Sequence, residues 1–305
     1  MPVQKSSHQR KASTTERRWG PFVTQLLHHK EGAGVMLRSS RRFRRGMQDL
    51  ILNRNGSIKQ KVGALSLLFS IRPDLLSWWI GTFFMIGASF FIAGSVMQLF
   101  LSHDIDATWI NFTYFVGSLF FTSAAYGQLS QSIHANIALR PQSKAHWSRW
   151  QWWASALRSS GFVSALSQFI GTLLFNINTF SAFYGFHTPK SEYFFIWIPD
   201  MVGSVLFLVS AFFAWIEVWH DAFVKPFVSV TWWVVWFNII GSVFFQISAL
   251  YGYLNPLTGT IENATLAVEY TLWGAVCFYL GAHFSNVEIR EIGRKEAGIK
   301  RDLKE

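Results

Sequence analysis

Cysteine is nearly missing from this 305-residue chain. Its single thiol, Cys277, excludes an intrachain disulfide and a CxxC metal site. Charge is scarce as well: only 14% of residues are Asp, Glu, Lys or Arg, well below the roughly one quarter usual in a soluble domain. None of the eight prolines falls in the middle of a long apolar stretch, and Pro73 and Pro199 are expected at or near helix starts, so the interrupted helices with which many secondary transporters build midplane sites are not expected. Motifs of chemistry are absent too. There is no HExxH, no Walker loop, no GxSxG, no paired-carboxylate motif and no acidic cluster within an apolar stretch. The sequence therefore predicts neither an enzyme nor a cofactor, and no metal site. His134 and His283 stand at the same edge with no second pair, too little for a haem.

What remains is apolar and aromatic: half of the residues are hydrophobic, with 30 Phe and 15 Trp. A bilayer core of roughly 30 Å takes ~20 helical residues to cross. Six stretches qualify, at about 78–101, 109–133, 161–185, 195–218, 231–254 and 266–286. The expected fold is all-α, a polytopic bundle of six transmembrane helices. Trp and Tyr gather at the predicted interfaces, as at Trp78, Trp109, Trp197, Trp232 and Tyr253, forming an aromatic belt.

Lys and Arg set the orientation. Fifteen lie in residues 1–72, four in the second connection, Lys225 in the fourth and six after the last stretch. The third connection has only Lys190, and the first and fifth have none but carry Asp104, Asp106 and Glu262. Positive loops stay inside, which puts both termini in the cytoplasm. The domain plan is a basic, largely disordered tail over 1–72, a membrane domain over 73–286 and a charged tail over 287–305. RSSRRFRR (38–45) suits an anionic inner leaflet; nucleic acid is not an expected partner for a chain so tethered. The Arg- and Ser-rich first 50 residues also fit an organellar transit peptide. WGPFVTQLLHHK (19–30) reads as a short amphipathic piece lying on lipid. Nothing separates a plasma-membrane from an endomembrane address, and self-association stays open.

One phrase occurs in all six stretches: Gly, three residues, Phe, two residues, then two small or polar residues. It is GASFFIAGS, GSLFFTSAA, GTLLFNINT, GSVLFLVSA, GSVFFQISA and GAVCFYLGA. The glycines are Gly87, Gly117, Gly171, Gly203, Gly241 and Gly274. Each is followed four residues later by Phe91, Phe121, Phe175, Phe207, Phe245 or Phe278. At ~100° per residue, Gly and Phe share one helix face and the residue after Gly lies on a stripe beside it. In lipid, small residues bring helices together by letting their backbones approach, so Phe is expected to fill the space above a neighbour's Gly. The spacing of the glycines predicts three hairpins, about 78–133, 161–218 and 231–286. A two-helix unit with an aromatic entry and Gly-Ser-x-x-Phe, as in FNIIGSVFFQISA and WIPDMVGSVLFLVSA, resembles the YrhK-like family of small integral membrane proteins. That resemblance implies a helical hairpin membrane module and no established reaction.

Polar residues within the stretches are the remaining candidates. Gln168, Asn176, Asn178, Asn238 and Gln246, with Glu217 and His283 nearer the cytoplasmic ends and Asp200 and Glu269 nearer the outer ends, either line a solute path or bond helices to each other. Glu217 and His283 lie near one leaflet and can pair, or both can reach towards water. Asn263-Ala264-Thr265 is a glycosylation sequon in a connection expected outside, whereas Asn111-Phe112-Thr113 lies too close to the membrane. Two functions follow: a non-catalytic helical membrane module, or a transporter or channel for a small polar solute.

Overall fold

The structure, a computed structural model, describes residues 13–30, 34–38, 50–52, 73, 75–138, 157–186, 188–219 and 226–302. Six long helices dominate: α1 (Leu76–Phe100), α2 (Ala107–Ala138), α3 (Ser160–Tyr184), α4 (Pro189–Trp219), α5 (Val230–Tyr251) and α6 (Ala264–Asp302). The predicted stretches fall within a few residues of α1, α3 and α5. α1, α3, α4 and α5 are long and apolar enough to cross a membrane, which marks a multi-pass membrane protein. α2 and α6 are at least as long but more polar at their C-terminal ends.

Side-chain oxygens start several helices by satisfying backbone N–H groups that have no partner one turn back. Asp106 accepts from Thr108 N–H in the first turn of α2 at 2.7 Å. Hydrogen bonding from Thr108 holds this exposed carboxyl below its ordinary range. Thr188, followed by Pro189 at the first helical position, caps α4; Ser229 caps α5 and Asn263 caps α6. Two sequence expectations change here. Helix α6 runs through the stretch assigned to the C-terminal tail, because Glu, Arg, Lys and Ala sustain a helix well. Pro199 lies inside α4 rather than at its start, and Tyr193–Trp197 just before it form a wider π turn in which Ile198 N–H reaches Tyr193 C=O. Proline cannot donate and crowds the preceding carbonyls, and a widened turn accommodates both defects.

Each helix packs on the one before and the one after, and α6 packs on α1, so the six form a closed ring. The repeated phrase gives the geometry. A Cβ placed on Gly171 would lie 2.8 Å from the Phe207 ring, and one on Gly203 would lie 2.8 Å from Phe175. Gly87 faces Gly117 and Phe121, while Gly117 faces Phe91; Gly241 faces Gly274 and Phe278, while Gly274 faces Phe245. Glycine thus marks the closest approach within α1–α2, α3–α4 and α5–α6, and the phenylalanine of each helix covers its partner's glycine.

The residue after each glycine points to the other neighbour. Ala88, Ser118, Thr172, Ser204, Ser242 and Ala275 are all at most 1% exposed. Across α4–α5, Ser204 donates to Phe245 C=O at 3.4 Å and Ser242 to Phe207 C=O at 3.3 Å. Across α2–α3, Ser118 bonds Thr179 at 2.9 Å. Two residues after the glycine the chain faces outward, with Leu119, Leu173, Val205 and Val243 all more than 40% exposed. A ring that is apolar outside as well as inside is built for lipid.

Residues expected in a largely disordered tail instead form strands. β1 (Ser13–Trp19), β2 (Phe22–Lys30), β3 (Gly34–Arg38) and β4 (Leu50–Leu52) make an antiparallel sheet in sequential order. WGPFVTQLLHHK is thus the end of β1, a turn and β2. Gly20 adopts φ +54° in that turn, a conformation glycine takes without strain. The sheet meets the bundle through Val23 N–H, which donates to Arg158 C=O at 2.6 Å, and through Trp19 on Phe212 and Phe22 on Phe213 at centroid distances of 5.7 and 4.9 Å. RSSRRFRR beyond Arg38 lies outside the described residues, as do all of residues 146–156.

Leucine at Gly203 should lower the thermal midpoint of the detergent-solubilised protein sharply, because its branch must displace the Phe175 ring; overpacking typically costs ~1–3 kcal/mol. Leucine at the outward-facing Val202 is the control and should leave the midpoint nearly unchanged. Equal midpoints for the two variants would contradict the packing described.

Candidate functional site

The ring has no lumen at the glycine level. Phe91, Phe121, Phe175, Phe207, Phe245 and Phe278 meet on its axis in one cluster, each 3–7% exposed. Within hairpins the ring centroids are 5.2, 5.0 and 5.1 Å apart. Phe91–Phe245 at 5.9 Å, Phe175–Phe245 at 5.6 Å and Phe207–Phe278 at 5.9 Å tie the hairpins together. Aromatic pairs at such distances add ~0.5–1.5 kcal/mol beyond area burial.

A cavity of about 110 Å³ lies below this layer, towards the end of the bundle where α1, α3 and α5 begin and α2, α4 and α6 leave. Phe207 and Phe278 form its roof. Its polar wall includes Gln128, Gln131, Gln168, Asn238, Ser164 and Ser210, and no ionisable side chain among the described residues. Gln131 Nε2 donates to Ser77 at 2.9 Å, Gln168 Oε1 accepts from Ser210 at 3.2 Å, and Asn238 Nδ2 donates to Val234 C=O at 2.7 Å. Each carboxamide keeps its other polar atom free of these bonds. Gln128 makes no side-chain hydrogen bond among the described residues.

Of the candidate polar residues, Gln168 and Asn238 reach this cavity. Asn178 lies beside the Asp200 carboxyl between α3 and α4. Gln246 Nε2 contacts Met201 Sδ at 2.9 Å between α5 and α4. Asn176 lies one residue past the plug, its buried Oδ1 without a hydrogen-bond partner, as is Gln246 Oε1. Glu217 is buried near the end of α4, while His283 meets the ring of Phe284; the two form no ion pair among the described residues. Asn263 is exposed and uses its Oδ1 to cap α6, whereas Asn111 Nδ2 is bonded to Ala182 C=O at 3.0 Å. Among the described residues, no three or more His, Cys, Asp or Glu gather to hold a metal.

Sequence reasoning missed Gln128, Gln131 and the serines, yet a signal existed. Gln168 and Asn238 stand three residues before their glycines, and Ser164 seven before; in returning helices Ser210 stands seven after and Gln128 eleven after. All lie on the Phe face one to three turns along. Extending the phrase's own period along each helix locates the chamber.

Hydrogen bonds that join helices should cost more to remove than groups facing the cavity. Asn111→Leu removes the donor from which Ala182 C=O accepts across α2–α3 and should destabilise the bundle by ~1–3 kcal/mol. Gln128→Leu should change stability little; denaturation in detergent compares them, and a larger loss for Gln128→Leu would refute the assignment. Comparison with known proteins gives no match to any protein family, curated sequence or solved structure.

Proposed function

We propose that all six helices cross the bilayer as three copies of a two-helix unit, with both chain ends cytoplasmic, and that the ring works as a non-catalytic membrane module sealed at its centre. The six-phenylalanine plug is the observation that carries this reading. Six aromatic rings packed at van der Waals contact leave no water-filled route along the axis, and a dewetted apolar constriction blocks ions. The reciprocal glycine–phenylalanine contacts of the three hairpins favour one repeated unit. The YrhK-like resemblance rests on the same phrase and belongs to this proposal.

One observation favours transport as the second reading. The cavity stops at the plug and is open to polar lining only on one side, the arrangement of a carrier closed at one face. Asn176 and Gln246, the other candidates for such a path, are separated from the cavity, which weighs against it.

Proteoliposomes holding the purified protein should leak K⁺ no faster than protein-free vesicles; a protein-dependent K⁺ flux would overturn the sealed reading. In cells, a glycan acceptor such as Asn263 should be modified on the lumenal or extracellular side, and a tag before residue 70 should stay cytoplasmic. The opposite placement would overturn the orientation.

A further inference from the structure

We propose that the cavity beneath the phenylalanine plug is a binding site for a small uncharged polyol of glycerol or erythritol size. The proposal rests on the reading of the ring as a sealed module. It assigns that module a ligand.

The wall chemistry selects the class. A buried ion without a counter-charge is strongly disfavoured, and among the described residues no Asp, Glu, Lys, Arg or His lines this chamber. Charged metabolites and metal ions are therefore poor occupants. The polar groups present are carboxamides and hydroxyls, each with donor and acceptor capacity. Gln128 and Gln131 from α2, Gln168 from α3 and Asn238 from α5 bring three helices around the chamber. Gln131 and Asn238 have spent a donor and hold an uncommitted Oδ1 or Oε1 acceptor; Gln168 has spent its acceptor and holds an uncommitted Nε2 donor. Hydroxyl groups, which donate and accept, match such a mixed set, whereas a pure acceptor or pure donor does not. Phe84, Phe207 and Phe278 supply apolar faces for a short carbon chain. A volume of about 110 Å³ exceeds the ~10–15 Å³ that one water requires by several-fold. A three- or four-carbon polyol is the matching size.

Protein purified without glycerol and held in nanodiscs, with tritiated erythritol as the probe, tests this by scintillation proximity. Saturable binding is expected, displaced by glycerol and unaffected by the zwitterion betaine. Gln168→Leu should weaken it by about tenfold, corresponding to ~1.4 kcal/mol, and Ser285→Leu, which fills the chamber, should abolish it. Asn176→Leu, outside the chamber, should bind as the unsubstituted protein does. No saturable binding, equal displacement by betaine, or binding unchanged in both cavity variants would each overturn the proposal; water alone occupying the chamber is the first of these outcomes. If those variants fail to fold, the polyol and betaine series on the unsubstituted protein still decides. Loss of the ligand with K⁺-tight vesicles removes the polyol site and leaves the sealed module standing; leaky vesicles remove the module.

Discussion

The whole ring depends on helix backbones approaching at glycine, where no Cβ holds them apart. In lipid this matters more than apolarity, since acyl chains solvate leucine as well as a neighbouring helix does. At Gly171 and Gly203 the backbone of each helix supplies a carbonyl to the other's empty Cβ position at 3.1 and 3.2 Å. That proximity creates a hollow, and the phenylalanine four residues on fills it. One residue type allows the contact and the other completes it, so neither is replaceable alone.

Four directions of the helical wheel then carry four tasks. Offset zero meets the hairpin partner, offset one the next hairpin, offset four the axis and offset two the lipid. In a regular six-membered ring each helix sees its neighbours about 120° apart, close to the ~100° that separates consecutive residues on an α-helix. A Gly-small dipeptide therefore addresses both neighbours at once, and the axis lies between them where Phe projects. This is why a nine-residue phrase suffices to specify a closed ring. The joints between hairpins differ in chemistry: α4–α5 uses paired serine-to-carbonyl bonds, while Ala88 and Ala275 are both fully buried and rely on close packing alone.

Helix existence and facing were legible because they follow from residue spacing. Gly, Phe and the small residue after Gly all take the roles that the period assigns. The sheet was not legible, since Arg17, Arg18 and Glu16 in β1 read as tail chemistry, and strand pairing is a long-range fact that composition does not encode. The π turn needed Pro199 to be recognised as interior, which required knowing that α4 begins at Pro189. The cavity escaped for a different reason. The expectation of a path at Asn176 and Gln246 places polarity near the middle of the helices, which is where the phenylalanines close the axis.

That displacement explains what the polar residues do. A Gln at the glycine level would have to share space with six rings and would lose its hydrogen bonds. Two turns away the axis is wider, because the glycines no longer pull the backbones together and no Phe projects inward in every helix. Carboxamides fit there, facing a chamber as well as a seam. Asn178 and Gln246 lie on the other side of the plug, Asn178 beside Asp200 and Gln246 in contact with Met201 across a helix seam. Gln131 and Gln168 also bond across seams, to Ser77 and Ser210, but on their side of the phenylalanine layer the remaining amide atoms face a chamber.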